Sequence, residues 1–162
     1  MTLALVGAPA RAATVQEITS PSGLTAWLVE DYTVPVVAMN VAWRGGSAQD
    51  PADRSGLANL MSGLLDEGAE NLDSRAFQAK LEDLSIELTF EAGADAFYGN
   101  LRTLQTNLDE AIDLFRIAVS APRFEAEPIE RIRGQILATL RRSETDPNDI
   151  AGRLWAETMF GD

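Results

Sequence analysis

Apolar residues recur at Leu57, Leu60, Met61, Leu64 and Leu65. That spacing of i, i+3, i+4, i+7 and i+8 places one stripe along an amphipathic helix. Ser55 is placed to cap the start with its hydroxyl, and Gly68 to close the end in a left-handed conformation. The pattern therefore predicts a helix over Ser55–Gly68. Its opposite face carries Asn59, Ser62 and Gly63, all small and polar. Because that face points away from the stripe, the helix is expected to tolerate larger residues there.

Upstream, the pattern is that of strands. Residues 14–19 and 24–31 flank the turn Ser20-Pro21-Ser22-Gly23 and predict a hairpin. Residues 34–43 form a nearly unbroken apolar run, which predicts a central strand covered on both faces. Downstream, Asp73 or Ser74 opens a helix through Leu84 with Phe77, Leu81 and Leu84 on one face. Residues 85–92 alternate, with Ile86, Leu88 and Phe90 pointing one way and Glu87, Thr89 and Glu91 the other. A turn over residues 93–95 leads to a returning strand over residues 97–104.

Asn107 with Glu110 reads as a near capping box. The helix it opens is expected to turn Leu108, Ile112, Phe115, Ala118 and Val119 inward and to stop before Pro122. Pro128 suits the first turn of the next helix, for which Ile129, Ile132, Ile136, Leu137 and Leu140 are the expected buried stripe. Asp146-Pro147 starts a last helix toward Met159. Two strand pairs and five helices in mixed order predict an α+β fold: a largely antiparallel sheet with helices packed on one face.

Composition narrows the chemistry. The 162 residues carry a formal net charge of −12 and contain neither histidine nor cysteine. Thiol chemistry, disulfides, imidazole bases and histidine-bound metals are therefore excluded. Scattered arginines in an acidic chain argue against nucleic acid as a partner, and suit a basic partner or basic peptides. Residues 1–13 end in Ala10-Arg11-Ala12-Ala13 and read as the remnant of a signal peptide or as a flexible tail. The first reading puts the protein in the periplasm or outside the cell, the second leaves it in the cytoplasm. No segment is apolar over a length that spans a membrane.

The stretch Gly56-Leu57-Ala58-Asn59-Leu60-Met61-Ser62-Gly63-Leu64-Leu65-Asp66-Glu67-Gly68 resembles the zinc-binding helix of the insulinase and mitochondrial-processing-peptidase family, Gly-Leu-Ala-His-Leu-Leu-Glu-His-Met-Leu-Phe-x-Gly. Residues 23–31, Val34-Pro35-Val36-Val37, Gly45-Gly46-Ser47, Arg123-Phe124 and Asp146-Pro147 fall in the order that family has them. The resemblance covers about residues 23–162 and implies a truncated insulinase-like peptidase lobe, with residues 14–162 its N-terminal part. A complete small domain is the alternative.

The resemblance implies a zinc metalloendopeptidase, but the ligands and the base are missing. Asn59 and Gly63 stand at the two histidine positions and Ser62 at the glutamate. The helix segment Ile132–Ser143, where the family's third ligand lies, contains no Asp or Glu. A catalytic zinc needs three protein ligands and a neighbouring base, so no catalytic or metal residue is assigned and no cofactor is expected in this chain. Asp66 and Glu67 lie at the helix end and are read as turn residues. What the resemblance leaves is a silent subunit of a two-chain peptidase. It would supply chamber wall and peptide contacts to a zinc-bearing partner of the same family. The alternatives are a free-standing peptide-binding or assembly protein and, third, an active metalloendopeptidase. An extended peptide would pair with the strand carrying Phe90, Glu91, Ala92 and Gly93, since strand addition needs only free backbone groups. Arg44, before Gly45-Gly46, is read as solvated.

Overall fold

The computed structural model describes residues 14–161, so the expected leader remnant or tail lies outside the described residues. The chain divides after Pro35 into two units. The first contains a hairpin, β1 (Val15–Thr19) paired antiparallel with β2 (Thr25–Val29) in the register Val15↔Val29 to Thr19↔Thr25. Its turn closes as the sequence indicates. Ser20 exchanges backbone and hydroxyl bonds with Leu24, and Gly23 sits at φ +85°.

The second unit runs from Val36 and holds three strands and five helices. In chain order they are β3 (Val36–Arg44), α1 (Leu57–Ser62), α2 (Ser74–Asp83), β4 (Glu87–Ala92), β5 (Ala96–Leu104), α3 (Leu108–Ser120), α4 (Ala126–Ser143) and α5 (Pro147–Phe160). The three strands form an antiparallel sheet in the order β3-β5-β4. Helices cover one face. There Phe77, Leu81, Leu88, Leu101, Leu114, Ile117 and Ala118 form the core. The other face exposes Tyr98, Arg102 and Glu91. The α+β architecture with helices on one side matches the expectation. No helix among the described residues is long and apolar enough to cross a membrane.

Four local expectations are corrected. The first concerns β3, which borders the sheet while β5 takes the centre. Its apolar run alternates in burial: Met39, Val41 and Trp43 are half-buried, Ala38, Asn40 and Ala42 exposed. The two alanines count as apolar in a pattern but are small enough to face water. In α3, the buried residues are Ala111, Leu114, Ile117 and Ala118, while Ile112 and Val119 lie exposed at the flank. Alanines at 111 and 118 let the helix approach the sheet, which turns the bulkier residues sideways.

Asn107 makes no capping bond. Its Nδ2 donates instead to the Leu84 carbonyl at 2.7 Å, tying the start of α3 to the end of α2. In α4 only Pro128 is buried, and Leu137 and Leu140 are exposed. The expected buried stripe is thus uncovered along its second half by any described element. Two expected caps hold: Asp73 accepts from the Ala76 amide, and Asp146 from those of Asn148 and Asp149.

Candidate functional site

The motif-bearing helix is shorter than its apolar pattern. α1 covers six residues, and the chain continues through turns to Gly68, whose φ of +114° fits the expected left-handed stop. Ser55 does not cap it. Asp50 does, its carboxylate accepting from the Gly56 amide at 2.8 Å and the Ala58 amide at 3.0 Å. A carboxylate at a helix start also meets the positive end of the backbone dipole. The residues that face inward from this stretch are Ala58, Leu64 and Leu65, while Leu57 and Met61 are exposed. The stripe is therefore rotated from the sequence reading, because the helix ends before its second turn is complete.

The three motif positions do not share one environment. Asn59 is exposed. Ser62 is half-buried and donates its hydroxyl to the Asn59 carbonyl at 2.8 Å. Gly63 faces α4: a Cβ built there would stand 2.9 Å from Cγ2 of Ile132. The expectation that this face is open is thus wrong at Gly63, where a neighbouring helix closes it. Sequence periodicity within α1 carries no information about that neighbour.

This arrangement does not fit a catalytic zinc. The donor set offers one amide and one hydroxyl already engaged, and Ile132 occupies the flank of Gly63. On α4, Thr139 accepts from Arg142 at 3.1 Å. No group of three His, Cys, Asp or Glu able to hold a metal occurs among the described residues.

Asp66 and Glu67 do more than end a turn. Glu67 is nearly buried, ion-paired with Arg131 of α4, and accepts from the Ser74 hydroxyl at 2.5 Å. Arg131 also lies 3.6 Å from Glu127. The Asp66 carbonyl accepts from Gln78 of α2 at 3.0 Å. Together they clamp the turn after α1 to α2 and α4, next to the Gly63–Ile132 contact. Sequence reading missed this because the partners are 64 residues apart in the chain.

Burial pushes the Asp66 carboxyl up to about 6, and the Glu67 charge adds to the shift. Between the ordinary value of 3.8 and about 6 the folded chain binds more protons at Asp66 than the unfolded chain. Stability must then fall as pH rises through that window, and the loss is complete above it. Discounted for the solvent that still reaches the group, the expected loss is about 1–2 kcal/mol. Urea titrations at pH 4, 5, 6 and 7 should show it, and Asp66→Asn should remove it. Equal slopes in the two proteins would refute the assignment.

The candidate peptide strand is at an edge. β4 pairs with β5 alone among the described strands, and α1 packs against it. The Gly93 amide donates to the Ala96 carbonyl, so Gly93↔Ala96 is a hydrogen-bonded pair. Alternation along an antiparallel ladder then turns Glu91 and Thr89 toward β5, and the backbone groups of Leu88, Phe90 and Ala92 away from it. The Gly93 carbonyl is occupied by the amide and hydroxyl of Ser47. Of the four expected residues, Phe90 and Ala92 present outward backbone groups. Glu91 and Gly93 do not. The Phe90 ring packs on Phe97 and Phe115 and is not available as a contact.

The model of the insulinase family, peptidase family M16, matches residues 26–162. The chain is 28% identical over 155 residues to the non-peptidase homolog YmxG of Helicobacter pylori, which covers 96% of this chain and 36% of that protein. It is 26% identical over 152 residues to the uncharacterized zinc protease SCO5738 of Streptomyces coelicolor, covering 92% and 32%. Among solved structures, a peptidase M16 inactive domain from Pseudomonas fluorescens superposes with a TM-score of 0.81 at 27% identity, covering 91% of this chain and 36% of that one. The chain thus spans about a third of the length of these relatives. Since the matched region takes in the whole three-stranded sheet and all five helices, the chain belongs to the insulinase family, peptidase family M16.

Proposed function

We propose that the chain is part of a catalytically silent M16 subunit that works beside a zinc-bearing partner of the same family. The observation that carries this reading is the state of α1: Asn59, Ser62 and Gly63 stand where a catalytic helix needs two histidines and a glutamate, and Ile132 closes on Gly63. Two relatives, a non-peptidase homolog and an inactive domain, support the same reading. The zinc resides in the partner. This subunit contributes chamber wall and the outward backbone groups of β4, onto which an extended peptide adds as a strand. Such a pair works in the periplasm or outside the cell.

Two measurements test the reading. After dialysis the chain should retain no stoichiometric zinc; one tightly held zinc per chain would overturn it. The whole protein, co-expressed with an M16 protein that carries His-x-x-Glu-His, should elute from size exclusion as a heteromer that cleaves peptides. A protein that stays alone beside each such candidate would favour a free-standing peptide-binding or assembly role.

A further inference from the structure

We infer that the β4 edge selects a peptide with a basic side chain at one defined position, opposite Glu91; this rests on the peptide-pairing reading above. Two geometric facts set the position. The outward backbone groups belong to Leu88, Phe90 and Ala92, so a peptide strand forms its hydrogen-bonded pairs with those residues. The peptide residues across from Thr89 and Glu91 then fall in non-hydrogen-bonded pairs, where facing side chains approach most closely. Those side chains lie on the open face of the sheet, on which Thr89 and Glu91 are exposed.

Glu91 has no ion-pair partner among the described residues. Glu87, two places further along the same face, lies 3.8 Å from Arg102. Directly beside Glu91 on β5 is Tyr98, and the diagonal positions are Ala96 and Asn100, none of them cationic. The nearest charge on that part of the edge is therefore an unanswered carboxylate, in a chain of net charge −12. A Lys or Arg of the peptide supplies the missing countercharge.

The ladder also has a fixed end. The next outward position after Ala92 is Ala94, which lies in the β4–β5 turn with its carbonyl taken by the Ala48 amide, so pairing stops at Ala92. The bound segment is short, about five residues, with the basic residue near one end of it. On the opposite parity the peptide side chains turn to the helix-covered, apolar side of the sheet, where apolar residues fit. The recognised class is an extended peptide that alternates apolar and polar residues and carries a cation.

The test uses the full chain and fluorescein-labelled heptapeptides of alternating Val and Thr with Lys, Gln or Glu at one central polar position, read by anisotropy. The Lys peptide should bind about five- to tenfold more tightly than the Glu peptide, with Gln between. The preference should shrink at 0.5 M salt. Glu91→Gln should abolish it and Glu91→Lys should reverse it. Glu91 is exposed, so neither change threatens the fold. Equal binding of the three peptides, or an unchanged preference in Glu91→Lys, would overturn the inference. Peptides N-methylated at alternate residues separate it from the underlying reading. If methylation abolishes binding while charge has no effect, strand pairing stands and the Glu91 assignment falls. If methylation has no effect, strand pairing itself falls, and the inference with it.

Discussion

Gly63→His should cost the chain about 2–3 kcal/mol of stability, and that cost should shrink by about 1 kcal/mol or more when Ile132 is already alanine. Any side chain at position 63 begins with a Cβ that meets Cγ2 of Ile132 at 2.9 Å. Isoleucine is β-branched and stiff at χ1, so its γ-methyl cannot rotate away freely. Forcing extra volume into such a contact costs about 1–3 kcal/mol. Against this stands a gain of about 0.5–1 kcal/mol from replacing a glycine whose φ of −79° suits any residue. For Gly63→Ala the gain offsets only part of the cost, leaving a loss of about 1 kcal/mol. Histidine adds a ring to the same clash. Ile132→Ala removes the obstacle, so the double variant should be more stable than the sum of the single changes by about 1 kcal/mol or more. Urea denaturation of the four proteins completes the cycle. Gly63→His as stable as the parent would mean that α4 does not press on α1.

Gly46→Ala should be more damaging still, with a loss of about 3 kcal/mol or more. Gly46 is buried, and a Cβ there would sit 2.2 Å from the Gly93 carbonyl oxygen and 2.8 Å from that of Ala94. Both atoms are backbone, held in the β4–β5 turn, and neither can move alone. Relief requires separating the loop after β3 from that turn. This breaks the bonds of the Gly45, Ser47 and Ala48 amides to the carbonyls of Asp95, Gly93 and Ala94, all 2.9–3.0 Å long. Each bond contributes roughly 1 kcal/mol. Gly134 and Gly152 supply the control: nothing lies within 4 Å of a Cβ at either position. Gly134→Ala and Gly152→Ala, in exposed helix, should each raise stability by about 0.5–1 kcal/mol. Thermal melts with the opposite ordering would show that the loop after β3 is not locked to the turn.

What could be read from the sequence was local. The alternation of residues 86–90, the Asp73 and Asp146 caps and Pro128 at a helix start each depend on neighbours within one or two turns, and each appears in the fold. The fold class followed from their order. The errors are all tertiary. Nothing in residues 55–68 says that Asp50 reaches over to cap α1 or that Ile132 abuts Gly63. The apolar run at β3 cannot report which strand takes the middle of the sheet. In α3, size misled: Ile112 and Val119 outweigh Ala111 in a pattern, while close packing on the sheet selects the small residue, as it does at the expected Ala118. For the candidate edge, the sequence located the strand, but hydrogen-bond parity, set by the Gly93–Ala96 pair, decides which residues can take a partner.

The aromatic stack on the helix-covered face gives the chain an internal optical reporter. Trp43 lies 6.1 Å from Phe115 and 6.2 Å from Phe97, centroid to centroid, and Phe115 touches Phe90 of the candidate edge in turn. Of the three tryptophans, Trp27 and Trp155 are 79% and 60% exposed, while Trp43 is half-buried. Aqueous iodide should therefore quench the first two more strongly than Trp43 and leave a blue-shifted emission. Any event that shifts Phe90 is transmitted through one ring to that indole, so the unlabelled wild-type chain carries its own fluorescent readout of the edge.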